Sequence, residues 1–310
     1  MCCQQGAMAS AKRVLVYLAE GNRLPQCARF VQSITGALSG CHADQVEVSC
    51  SLEGQHFVLS AGEREGASRV LLRRAPFCPF KRLSATEAAS LPSDVQARGV
   101  DVGVAVLLQT ADRKTLLTRR AAPLTIFPNI WVPPGGHVEL GEKLLDAGLR
   151  ELGEETGLWL GPDEFSCRLL GLWESVYPPM LTRGLPQRHH IVTYLLLRSC
   201  RTHLQLQARL RPEPQEVSGC VWLDAVLARA IVASVDGADG LGQLPAHLPP
   251  TVRVWEVSSA GELFRSTLST AVLLSRAPAQ GGDPERVSTG TKFALELWLD
   301  TLGGDEPPAS

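Results

Sequence analysis

From Val102 the chain reads VGVAVLLQTADRKTLLTRR, two apolar runs on either side of a polar stretch from Thr110 to Lys114. Apolar runs of this length are strands, and a short polar connection makes them a hairpin. Upstream, RVLVYLA at 13–19 and QVEVSCSL at 45–52 alternate like half-buried strands, with the helix-like FVQSITGAL at 30–38 between them. A small N-terminal β-α-β region is expected there. Ser84 and Glu87 in SATEAASL stand three apart, the spacing of a capping box that opens a short helix. Further strands are expected in CRLLGLWESV, HIVTYLLLRS and VSGCVWLD, the last leading into the helical AVLARAIVA. APAQGGDPERVSTG reads as a linker, TKFALELWLDTL as a last amphipathic helix, and GGDEPPAS as a disordered tail.

This mixture of strands and helices is α+β. The expected division is residues 1–97 as a small α/β region, 98–235 as the main domain, and 236–310 as an extension with linker, helix and flexible tail. No internal repeat is visible.

Composition narrows the class. Hydrophobic residues at 45% and charged residues at 20% are those of a globular chain that can bury a core. A formal charge of −2 provides no general basic field, so long nucleic acid is not an expected ligand. Nine cysteines without a CxxC pair favour a reducing compartment, and the cytoplasm is the expected location. No apolar run reaches the 18 or so residues of a membrane span, and the N-terminus lacks a signal-peptide core, so no membrane association is expected.

The chemistry is concentrated from Gly136 onward, in GHVELGEKLLDAGLRELGEETGL. The residues Gly136, Glu142, Arg150, Glu151, Glu154, Glu155 and Gly157 fit G-x5-E-x7-R-E-U-x-E-E-x-G-U, with aliphatic Leu152 and Leu158 at U. At a background of roughly 6% per residue type, those seven fixed positions coincide by chance on the order of once in 10⁸ starting points, so coincidence is no competitor. Helical periodicity puts Leu145, Leu149 and Leu152 on one stripe and Glu151, Glu154 and Glu155 on the opposite side. Clustered carboxylates repel, and hard divalent cations that bridge carboxylates to phosphates supply the counter-charge. Arg150, one turn before Glu154, can pair with it or with Glu142 and orient the acids. Gly157 suits a left-handed helix end, and Gly135 and Gly136 allow close backbone approach.

These residues are the signature of the Nudix hydrolases, which the chain resembles from about residue 98 to 235. The resemblance implies an α/β/α sandwich with a mixed sheet, and hydrolysis of a phosphoanhydride in a nucleoside diphosphate linked to another group. It further implies Mg²⁺ or Mn²⁺ as cofactor, with Glu151 and Glu155 as principal ligands, Glu154 as a further ligand or a base, and Gly136 offering its carbonyl. Glu216, in PEPQEVSGCVWL, is a second candidate base, and Arg150 is the orienting residue.

Substrate choice lies outside the motif. Leu116, Leu117, Thr118, Arg120, Leu124 and the Pro134-Gly135-Gly136 end resemble the coenzyme A subgroup, whereas Phe127, Asn129 and Ile130 stand where that subgroup carries His, Gly and Gln. Nucleotide substrates therefore rank ahead of coenzyme A. Trp131 and Trp173 are candidate base-stacking rings, and the loop ESVYPPMLTRGLPQRHH adds Tyr177, Arg183, Arg188, His189 and His190, rings and cations suited to a nucleotide. Over its whole length the chain resembles a branch of the family whose implied activity is hydrolysis of the 7-methylguanosine cap. A capped RNA end is thus the leading ligand, ahead of a nucleotide-containing small molecule such as coenzyme A or a dinucleotide. A catalytically silent module that binds nucleotides or proteins is the reading from another class, and an intact glutamate set argues against it.

Overall fold

A computed structural model describes residues 13–21, 23–40, 43–237 and 247–303. All of the GGDEPPAS tail but its first glycine, Gly303, lies outside them, as do Cys2, Cys3 and Cys41. The chain folds as two compact units, residues 1–104, 136–147 and 172–193 in one, and residues 105–135, 148–171 and 194–310 in the other. The expected α+β class holds, and each unit contains both parallel and antiparallel strand pairs.

In the first unit the strand Gln45–Glu53 pairs antiparallel with His56–Ser60 and with Ser68–Arg74. Gly54, at φ +63°, makes the tight turn that joins the first two. His56–Ser60 then runs parallel to Leu15–Leu18, which faces Asp101 on its other side. The two strands expected at 13–19 and 45–52 are both present, with His56–Ser60 inserted between them. HFVLS is only five residues long and follows a two-residue turn, so it gives no separate periodic signal.

The helix Ile34–Ser39 packs by an unusual cap. Ser33 Oγ accepts from Gly36 N at 3.1 Å, while the carboxylate of Glu174 accepts from the Ile34 and Thr35 amides at 2.8 and 2.9 Å. Those first-turn amides have no partner within the helix, and a buried anion satisfies them. His189 Nε2 lies 3.2 Å from Glu174, and its Nδ1 lies 2.7 Å from Phe30 O. These contacts hold the Glu174 carboxyl below the usual range, against burial as the largest and opposing influence. Phe30 also packs with Leu91 and Val95, beneath a helix at Ala85–Ser90 whose Ser84–Glu87 capping box forms as the sequence predicts.

In the second unit the expected hairpin forms, Gln109 opposite Thr115. Thr115–Arg120 pairs antiparallel with Val217–Leu223, which continues to Thr251–Val257 and Leu263–Ser269. Asp224 caps the following helix, Ala225–Ala233, through Leu227 N at 2.9 Å. The stretch expected to be a linker is a structural element: Arg286–Val287 runs parallel to Ile130–Trp131, and both of its residues are buried. The last helix, Thr289–Gly303, buries Phe293, Leu295 and Trp298, with Trp298 Nε1 donating to Gln109 Oε1 at 2.8 Å. No helix among the described residues is long and apolar enough to cross a membrane.

Candidate active site

The motif forms the helix Leu144–Thr156, and Gly157 stops it at φ +72°. The stop is also steric, because a Cβ on Gly157 would meet Arg211 Cβ at 2.7 Å and its carbonyl at 2.9 Å. Two hydrogen bonds fix the chain that crosses this end: Arg211 N to Thr156 O at 2.8 Å and Glu213 N to Glu155 O at 3.0 Å.

The burial of the helix corrects the expected picture. Leu152 is buried, but Leu145 and Leu149 are only half-buried, and Ala147, Gly148 and Gly153 share the hidden face. The glutamates are correspondingly unequal: Glu154 is exposed, Glu151 half-buried, and Glu155 only 5% exposed. The reason is angular. Glu155 follows Leu152 by three residues and lies about 60° from it around the helix, whereas Glu154 lies about 160° away. Counting leucines alone hides this.

Glu155 Oε2 is buried with no hydrogen-bond partner, while the carboxylate accepts from the Gly135 backbone N–H. Burial pushes its pKa up to about 8, with Glu151 and Glu216 adding and Arg120 and the Gly135 N–H opposing. Glu151 is also raised, by burial first, with Arg150 opposing and Glu154 and Glu216 adding. Arg150 Nη1 donates to Glu151 Oε1 at 2.9 Å and to Glu154 Oε2 at 3.0 Å, so one guanidinium nitrogen ties the two acids together. Arg120 is half-buried, with Nε donating to Ile126 O at 3.0 Å, and its charge acts on Glu155 and Glu216. Glu216 is exposed and held in place by backbone bonds, its carbonyl accepting from Ala121 N at 2.8 Å and its amide donating to Glu213 O at 3.0 Å. Arg120, Arg150, Glu151, Glu154, Glu155 and Glu216 thus form one electrostatically linked set within the second unit.

A buried acid that retains its proton to about pH 8 and leaves one oxygen unpartnered fits a hard divalent cation, which supplies the missing positive charge. Gly136 and Glu142 belong to the first unit. There Glu142 accepts from Glu139 N at 3.0 Å, and a Cβ added to Gly103 would press on the Gly136 carbonyl at 3.2 Å.

Two of the expected stacking rings are not available to a base. Trp131 is 0% exposed, its Nε1 donates to Glu285 Oε1 at 2.9 Å, and the Arg119 guanidinium sits 5.4 Å from its ring centroid. Trp173 is buried at 7% exposure. His189 is enclosed with Glu174 and is likewise no phosphate ligand. Tyr177, Arg183 and Arg188 are half-buried. Arg188 acts electrostatically on Asp101 and His190.

Asp101, His137 and His190 were not singled out together by the sequence. One ligand atom from each lies within 4.8 Å of the others, a cluster that could hold a divalent metal. They are far apart in the chain and reach one another only through strand packing, so spacing carries no signal for them.

This site and fold define a Nudix pyrophosphohydrolase, and the chain belongs to the Nudix family: the NUDIX domain matches residues 98–235. Its similarity extends over most of the length of several relatives. The chain is 64% identical to "m7GpppN-mRNA hydrolase NUDT17" of Danio rerio over 95% of this chain and 98% of that protein. The protein of the same name in Xenopus laevis is 55% identical, over 98% of this chain and 100% of its own length. Among solved structures, the MutT protein from Methanosarcina mazei aligns at 18% identity over 41% of this chain and 78% of its own, with a TM-score of 0.32.

Proposed function

We propose that this Nudix hydrolase acts on the 7-methylguanosine cap of RNA, cleaving a phosphoanhydride with Mg²⁺ or Mn²⁺ held by Glu151, Glu155 and Glu154. The observation that carries the substrate is the near-complete coverage of relatives named for that activity, at 64% identity in the nearer of the two compared. The buried, unpartnered Glu155 oxygen is what supports the metal. When bound, such a cation neutralises the anhydride oxygens and makes a water more acidic.

The chain's own residues supply the rest. Arg150 holds Glu151 and Glu154 in fixed directions through one guanidinium nitrogen, so neither acid must be ordered when substrate arrives. Arg120 places a desolvated positive charge beside Glu155 and Glu216, where an anhydride phosphate is matched by a planar donor fork. Glu216 and Glu154, both exposed, can accept the proton of the attacking water. The net charge of −2 favours recognition of the capped end over the body of a long RNA. The unpaired thiols of Cys27, Cys50, Cys78, Cys167, Cys200 and Cys220 suit a reducing compartment, and we assign the chain to the cytoplasm.

The test is a panel of capped RNA, coenzyme A, dinucleotides and ADP-sugars, with each metal and products weighed by mass spectrometry. Capped RNA is expected to be the preferred substrate, releasing a 7-methylguanosine nucleotide and 5′-phosphorylated RNA. Preference for another member overturns the substrate assignment. Nucleotide binding without turnover of any member overturns the enzymatic reading.

A further inference from the structure

We propose that Asp101, His137 and His190 form a metal site with ligands distinct from the glutamate set, taking one transition cation of the Zn²⁺ class through two imidazole nitrogens and one carboxylate oxygen.

The distances carry the case. His137 Nε2 and His190 Nε2 are 3.3 Å apart, and His190 Nε2 is 3.9 Å from Asp101 Oδ2. Zinc bonds of about 2.0–2.1 Å at a tetrahedral angle place two ligand atoms roughly 3.3 Å from each other. The imidazole pair already has that separation, the His190–Asp101 distance exceeds it by about half an ångström, and all three ligand atoms lie within 4.8 Å of one another. Two imidazoles and a carboxylate select a borderline cation over Mg²⁺, which prefers a full oxygen shell.

A second observation points to a ligand. Asp101 is 3% exposed, and its Oδ1 has no hydrogen bond. Arg13 Nη1 lies 2.8 Å from Oδ1 and 2.9 Å from Oδ2, but only the contact to Oδ2 is aligned as a hydrogen bond. The ion-pair distance to Oδ1 is therefore close without satisfying that oxygen. The Arg13 side chain is 35% exposed and can rotate toward water when a cation takes its place.

The three backbones are also fixed in advance. Asp101 faces Leu15 across a strand pair, Thr193 Oγ1 donates to Gly103 O at 2.8 Å, and Val138 N donates to Val102 O at 3.1 Å. The backbone of Arg13 in turn forms an isolated antiparallel β-bridge with that of Glu139. Ligands carried on rigid strands lose little entropy on binding. Three protein ligands leave a fourth position for water or a substrate oxygen. The competing account is a metal-free N–H···N bond between the two histidines.

The experiment uses the full chain carrying Glu151→Gln and Glu155→Gln, stripped with chelator and dialysed against Zn²⁺. One equivalent of zinc by elemental analysis, with a zinc-dependent rise in melting temperature, is expected. Adding His137→Ala, at an exposed position, should weaken binding at least tenfold and abolish the thermal shift. A metal-free melt of that variant matching its parent shows that the fold is intact. X-ray absorption on the loaded parent should show two imidazole nitrogens. No zinc bound at micromolar concentration, or binding unchanged by both His137→Ala and His190→Ala, overturns the proposal.

Discussion

A carboxyl that is 5% exposed, with one oxygen unpartnered, sets the protein's stability and its chemistry against each other at Glu155. In the folded, metal-free protein it retains its proton to about pH 8, whereas an unfolded glutamate loses it near pH 4.3. The folded state therefore binds more protons across that window, and stability must fall as pH rises through it. With chelator present, urea melts should show lower stability at pH 8 than at pH 5.5. Glu155→Gln should flatten that slope and stabilise the metal-free protein at pH 8, by on the order of a few kcal/mol. An unchanged slope sinks the assignment. For the base, Glu154→Gln and Glu216→Gln compared side by side should separate, the true base costing about 10² to 10⁴ in turnover. Equal, small losses exclude both. At this scale the motif was legible because seven residue types at fixed spacing leave few alternatives. The burial of Glu155 was not, since it depends on Ala147, Gly148 and Gly153 joining the hidden face. Nor was the core position of Trp131, whose polar partner Glu285 stands 154 residues away.

Two elements owe their ends to single residues. Gly157 combines φ +72° with backbone and side-chain atoms of Arg211 where a Cβ would stand. Gly157→Ala should destabilise by about 1–3 kcal/mol in denaturant melts. It should also lower turnover, because Arg211 and Glu213 hydrogen-bond to the end of the glutamate helix. A neutral substitution contradicts this view of the helix end. Glu174 caps Ile34–Ser39 from a strand 140 residues away. Glu174→Ala leaves two amides and His189 without their buried anion and should cost about 3–5 kcal/mol. A loss below 1 kcal/mol in thermal or urea melts argues against the clamp. The first hairpin, the capping box at Ser84 and the strand leading to Asp224 were all readable from periodicity and cap chemistry. The hairpin of Thr251–Val257 and Leu263–Ser269 was not. Of its residues only Val254 is buried, so the hairpin contributes little to a core that an apolar run would mark.

For the whole molecule, composition placed the chain among globular proteins and the glutamate motif placed it among Nudix hydrolases, but neither selects a substrate. The motif's chemistry is common to every member of the family. The proposed cap specificity must reside in residues outside it, and the burial of Trp131 and Trp173 removes both rings from that search. We propose that the glutamate set performs metal-dependent hydrolysis of a capped RNA end. It is tested most directly by single-turnover hydrolysis of cap-labelled RNA, comparing the native chain with Glu155→Gln at saturating Mg²⁺ or Mn²⁺, with melts run alongside. Metal-dependent release of the labelled nucleotide by the native chain is expected, with a loss of at least roughly 10²-fold in the folded variant. Near-full activity in Glu155→Gln, or release that persists in chelator, would contradict it.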